Sequence, residues 1–153
     1  MSARFDRLEA ATLAGGGLVM LGAALPWLTL YAGLQRYGGL IGAYGRLLFA
    51  GGALAFVVGL ATRGRRPRWL LPATLLFGFV LLGFDLWLLA GLAVTLRSGV
   101  SAMLVPRPGP GLFVATLGIA VIILGPSLEL VRDYRNARAA FRAPMRTAVE
   151  TRR

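Results

Sequence analysis

Residues 69–96 read WLLPATLLFGFVLLGFDLWLLAGLAVTL, an apolar run with one ionisable side chain, Asp85, near its centre. A bilayer-crossing helix needs about 20 predominantly apolar residues at roughly 1.5 Å of rise each, and this run exceeds that length. It predicts a span that tilts or projects beyond the lipid. Immediately before it stand Arg63, Arg65, Arg66 and Arg68. Basic residues tend to stay on the cytoplasmic side, so these four mark the first end of the run as internal and orient every other segment.

Composition agrees with a membrane setting. The 153 residues are 57% hydrophobic and 15% charged, with a mean hydropathy of +0.70, too apolar for an ordinary soluble domain. There is no cysteine, which excludes disulfides, thiolate metal sites and cysteine nucleophiles. There is no histidine, so the usual haem and zinc ligands and the commonest general base near neutral pH are missing too. No cofactor or metal is expected. The net charge of +11 comes from 17 basic residues, all of them arginine. Sorted by side of the membrane, only Arg36, Arg46, Arg97 and Arg107 fall outside. Orientation and attraction to anionic headgroups account for that asymmetry, so membrane lipid, and not nucleic acid, is the expected partner of the charge.

Working outward from 69–96, three more apolar stretches give spans at about 8–28, 42–61 and 110–131. The expected fold is an all-α membrane protein, a four-helix antiparallel transmembrane bundle over residues 1–131, with a basic cytoplasmic helix over 132–153. Both termini then lie in the cytoplasm. The first span has a signal-like start but no convincing cleavage site, and is expected to be retained. Pro26 and Trp27 close it, with Trp27 and Trp69 expected as headgroup-level anchors. Segment 29–44, rich in Tyr and Gly, predicts an interfacial loop or a short surface helix, with a re-entrant segment as the alternative.

Small residues recur at helical spacing in two spans. Gly51, Ala55 and Gly59 repeat every four residues in the second. Gly111, Ala115, Gly118 and Gly125 form a seam in the fourth, and both faces suit close helix packing. The fourth span must pass through Pro126, where a bend is expected, with Ser127 placed to help satisfy the carbonyl that the proline leaves unpaired. Beyond it, Arg132, Arg135, Arg138 and Arg142 share one side of a continued helix, until Pro144 interrupts it. Together with the arginines of 62–68, these suit lipid headgroups or an acidic docking partner.

Asp85 is the residue whose placement is expensive. A charged side chain at mid-membrane costs about 2.5–3.5 kcal/mol on insertion scales, so it should face protein or water. One reading is a proton- or cation-coupling site; the other is a carboxyl that bonds a neighbouring helix, with Arg46, Arg97, Thr95 or Thr116 as candidate partners. The absence of a second relay residue favours the structural reading. No phosphate loop, nucleophile elbow or paired catalytic carboxylates are present, so no enzyme is expected.

Leu25-Pro26-Trp27 at the close of the first span, the glycines through Gly38, Gly42 and Gly45, and Gly109-Pro110-Gly111 opening the fourth span carry a resemblance. The chain looks like the small four-span bacterial membrane proteins of uncharacterised function, and is similar to the tryptophan-operon-associated membrane protein family among them. That resemblance implies four spans in a bacterial inner membrane and no catalytic residues to carry over. The functional expectation is a non-catalytic accessory or assembly subunit of a larger membrane complex, packing through its small-residue faces against other subunits. The alternative is a small oligomeric ion-coupled transporter using Asp85.

Overall fold

The computed structural model describes the backbone of residues 7–30, 35–61, 69–97 and 107–150, and the side chains of 9–28, 38–61, 69–94, 108–136 and 138. Helix α1 is Arg7–Ala24. Strands β1, Pro26–Leu30, and β2, Gln35–Gly38, follow it, and then a 3-10 turn, Gly39–Ile41. Helices α2, Ala43–Ala61, and α3, Leu70–Arg97, come next. Strand β3, Arg107–Pro108, leads into α4, Gly111–Glu150.

Three of the four helices are long and apolar enough to cross a membrane: Ala43–Ala61, Leu70–Val94 within α3, and Gly111–Asn136 within α4. Only 17% of the α3 stretch is buried in protein. Its outer surface carries Leu76, Phe79, Val80 and Leu86, an exposed apolar face that water would penalise and lipid accepts. α1 is the shorter apolar helix, its 18 residues rising about 27 Å.

Although short, α1 is the hub of the packing. Successive glycines of its Ala-Gly-Gly-Gly stretch serve two different neighbours, because adjacent helical positions point about 100° apart. A Cβ on Gly15 would lie 2.6 Å from the Gly118 carbonyl of α4, and one on Gly16 would lie 2.8 Å from the Gly52 carbonyl of α2. The buried core continues this arrangement with Val19 and Ala23 of α1, Leu48 and Ala55 of α2, and Ala115, Ile119 and Ile122 of α4. α3 packs mainly on α4. It meets α2 where Leu81 lies over Gly51 and where Tyr44 meets Phe84 and Trp87.

The first helix ends four residues sooner than the sequence predicts, and the predominantly helical chain carries a small sheet in addition. Pro26 has no N–H to continue the ladder, so the last helical bond of this region runs from Leu25 N to Leu21 O at 2.9 Å. The chain then enters a three-stranded antiparallel sheet in the order β2-β1-β3, with Thr29 opposite both Arg36 and Arg107. Over 29–44, where an interfacial loop, a short surface helix or a re-entrant segment is expected, the described residues form the end of β1, β2, the 3-10 turn and the start of α2; residues 31–34 lie outside the described ones. Strand pairing satisfies the backbone N–H and C=O groups at this end of the helices without recourse to lipid.

α4 is also longer than predicted. It runs as one helix of 40 residues through both Pro126 and Pro144, so Pro144 does not interrupt it. Ser127 Oγ donates to the Ile123 carbonyl at 2.8 Å, one carbonyl beyond the Ile122 oxygen that Pro126 cannot reach with an N–H. Pro126 itself is fully buried. Arg132, Arg135 and Arg138 are exposed along the extension.

Candidate functional site

The polar centre of the helical region is a contact between α3 and α4. Asp85 is completely buried, and its Oδ2 lies 2.5 Å from Thr116 Oγ1. The same hydroxyl stands 2.9 Å from the Leu112 carbonyl one turn earlier in α4. Other hydroxyls here bond back to their own helix: Thr12 to Glu9, Thr74 to Leu70 and Ser127 to Ile123. Thr116 makes that local bond and a cross-helix one as well.

A threonine hydroxyl has one proton to give and two lone pairs to offer. When Asp85 is ionised it takes the Thr116 proton, and the local contact to Leu112 goes without. When Asp85 carries a proton, it donates to Thr116 Oγ1, and Thr116 donates to Leu112. Both contacts are then hydrogen bonds at once. Changing between the two states takes the gain or loss of one proton at Asp85 and a rotation of the Thr116 hydroxyl. Asp85 Oδ1 is buried with no hydrogen bond among the described residues, so the second carboxyl oxygen adds nothing to the attachment.

Of the four candidate partners of Asp85, the structure brings Thr116 to it. Arg46 is turned away, with its Nε donating to the Leu40 carbonyl at 3.1 Å, where it braces the 3-10 turn. The side chains of Thr95 and Arg97 lie outside the described residues, as do those of Arg63, Arg65, Arg66, Arg68 and Arg142. Among the described residues no group of three or more His, Cys, Asp or Glu side chains stands together to hold a metal ion.

The small-residue faces are in use inside the protein. Gly111, Ala115, Gly118 and Gly125 are buried, and a Cβ on Gly118 would lie 2.7 Å from the Gly15 carbonyl. On α2 the buried positions are Gly45, Leu48, Gly52, Ala55 and Gly59, alternating spacings of three and four. Gly52, not Gly51, continues the face toward α1. Gly51 sits beside it under Leu81.

Trp27, expected as a headgroup-level anchor, is half-buried against α1. The register of β1 against β2 shifts between Pro26 and Leu28, a bulge that re-aims the intervening side chain. The Trp27 indole goes under the sheet, and its Nε1 donates to the Gly22 carbonyl of α1 at 3.1 Å. Its backbone carbonyl accepts from Gly109 N at 2.8 Å. The ring occupies the space that a Cβ at Gly39 or Gly111 would need. Leu25-Pro26-Trp27 and Gly109-Pro110-Gly111 are therefore two halves of one cap, a pairing that neither motif reveals alone. Trp69, at the start of α3, is exposed.

α2 and α3 leave a cleft with two hollows, divided where Leu81 meets Gly51. Toward the sheet, about 380 Å³ lies between Trp27, Tyr44, Trp87, Leu88, Gly91 and Leu112. The Tyr44 and Trp87 rings meet edge-on there, with centroids 5.4 Å apart. At the other end, about 220 Å³ lies between Leu54 and Val58 of α2 and Ala73, Thr74 and Phe77 of α3, with Thr12 of α1 also lining it.

No protein-family model matches this chain, and no curated protein or solved structure compared with it is similar.

Proposed function

We propose that this protein is a non-catalytic accessory or assembly subunit of a larger membrane complex. The observation that carries the reading is α4. One continuous helix of 40 residues, about 60 Å long, begins in the buried seam against α1 and ends far outside it, with exposed arginines along the extension. The hydrocarbon core is about 30 Å thick, so roughly half of α4 projects beyond it as a basic arm rigidly joined to the membrane domain. The small-residue faces are occupied by the protein's own helices. The surface left for a partner is the open side of α3 together with that arm. With α1 as a fourth crossing, the fold is a four-span antiparallel bundle in a bacterial inner membrane, with the arginine end in the cytoplasm.

The enclosure of Asp85 between α3 and α4 speaks for attachment over ion transport. Purification of the tagged chain in mild detergent is expected to recover a stoichiometric membrane partner, and Arg132, Arg135 and Arg138 changed together to Gln should lose it. Recovery of a monodisperse monomer alone would overturn the proposal. Proton flux in vesicles that disappears in Asp85→Asn, with assembly intact, would favour the transporter instead.

A further inference from the structure

We propose that the Asp85–Thr116 contact is a binding site for a monovalent alkali cation such as Na⁺, held between α3 and α4 by oxygen ligands from both helices. The inference rests on the geometry of that contact and not on the accessory role. Asp85 is wholly buried, and among the described residues its Oδ1 has no hydrogen bond and no arginine pairs with the carboxyl. Arg46, the one outer arginine whose side chain is described, bonds instead to the Leu40 carbonyl.

The oxygens around Thr116 outnumber the protons available to them. The hydroxyl stands 2.5 Å from Asp85 Oδ2 and 2.9 Å from the Leu112 carbonyl, and it has a single proton. With the carboxyl ionised, that proton goes to Oδ2. Oδ1, the Leu112 carbonyl and the free lone pair of Thr116 Oγ1 then face no side-chain donor, beside a net negative charge. A proton on Asp85 satisfies Oδ2 and Leu112 but still leaves Oδ1 bare, so a cation is the occupant that uses all of these oxygens. Carboxylate, hydroxyl and carbonyl oxygens are the ligands of hard cations, and one buried carboxylate is neutralised by one positive charge. Among the described residues no cluster of three or more acidic or histidine side chains stands ready for a divalent ion. Water completes the shell from the sheet-end hollow, which is lined by Leu88, three residues on from Asp85, and by Leu112, one turn before Thr116. Arg36, Arg46, Arg97 and Arg107 belong to that same end, and their charge opposes cation entry, so the affinity is millimolar and not micromolar.

The test compares thermal unfolding of the full chain in a neutral detergent with Na⁺ and with N-methylglucamine, a cation too large to enter, at the same chloride concentration. With a dissociation constant of about 20 mM, Na⁺ at about 200 mM favours the folded state roughly tenfold, a rise of about 3–6 °C in the midpoint. Thr116→Ser keeps the hydroxyl and should keep the rise. Asp85→Asn retains a bond to Thr116 but lacks the charge, and should lose the rise, as should Thr116→Val. In equilibrium dialysis the wild type should retain sodium-22 up to about one ion per chain, and Asp85→Asn at least tenfold less. A midpoint that is the same in the two salts overturns the proposal. So does a Na⁺ effect, or a sodium-22 retention, that survives undiminished in Asp85→Asn. A chain that purifies alone and still shows the rise supports the cation site while removing the accessory reading, so the two fail separately.

Discussion

Thr116 of α4 stands 2.5 Å from the buried carboxyl of Asp85 in α3, and the contact is asymmetric in what each partner loses without it. Thr116 keeps its bond to the Leu112 carbonyl if Asp85 is removed. Asp85 keeps no hydrogen bond among the described residues if Thr116 is removed. Asp85→Asn supplies an N–H for Thr116 and should change stability by less than about 0.5 kcal/mol. Thr116→Val leaves a buried carboxyl alone and should cost about 1–3 kcal/mol. Asp85→Leu should fall between, near the roughly 0.6 kcal/mol average of interhelical bonds in membranes, rising to about 1.7. Reversible unfolding in mixed micelles ranks the three; a Thr116→Val variant no weaker than Asp85→Asn would remove the asymmetry.

The same contact shows how far sequence reading goes. Asp85 stood out because a carboxyl amid 69–96 needs a partner, and Thr116 was among the candidates. Choosing it required knowing the rotation of α4 about its axis, which Thr116 shares with its buried neighbours Ala115 and Ile119. α3 was legible almost to the residue, since length and flanking arginines define it. The sheet was not. Its strands are short, β3 has two residues, and β1 pairs with a segment almost eighty positions away, so no local alternation announces it. The bond of Trp27 to α1 was hidden for that reason, because only the bulge beside it reveals the direction of its indole.

Glycine substitutions should separate packing from propensity. A Cβ at Gly118 meets the Gly15 carbonyl and the Val19 amide nitrogen, each at 2.7 Å, which are backbone atoms unable to move aside cheaply. Gly118→Ala should destabilise by about 1–3 kcal/mol through overpacking. At Gly17 and Gly83 nothing lies within 4 Å, and alanine there should be neutral or stabilising by up to about 1 kcal/mol. Thermal unfolding in detergent measures all three, and equal effects at Gly118 and Gly83 would mean the α1–α4 seam is looser than described.

The cap depends on one indole. Trp27→Phe retains most of the ring but loses the bond to the Gly22 carbonyl, a loss of about 0.5–1.5 kcal/mol. Trp27→Ala empties the space under the sheet and should lose about 3–5 kcal/mol. Amide exchange localises the effect. Gly109 N, bonded to the Trp27 carbonyl, and Gly39 N, bonded to the Leu25 carbonyl, should exchange faster in the alanine variant, while α3 amides near Asp85 hold their protection. Uniform acceleration through all four helices would show the cap to be part of the global fold and not a separate closure.

The sheet turns the topology prediction into two separable claims. β1 pairs with β2 at Thr29 and Arg36 and with β3 at Leu28 and Pro108, so positions 36 and 108 belong on one side of the membrane whatever the orientation of the protein. Between them the chain makes α2, about 28 Å long, and α3, about 42 Å long, out to the arginine link and back. The native chain has no cysteine, so single cysteines can be placed at 36, 64, 108 and 140 without background. An impermeant maleimide on intact cells should label 36 and 108, and should reach 64 and 140 only after permeabilisation. Labelling of 36 and 108 from opposite sides would break the sheet. Labelling of both from the cytoplasm alone would leave the fold standing and invert its orientation against the arginine bias.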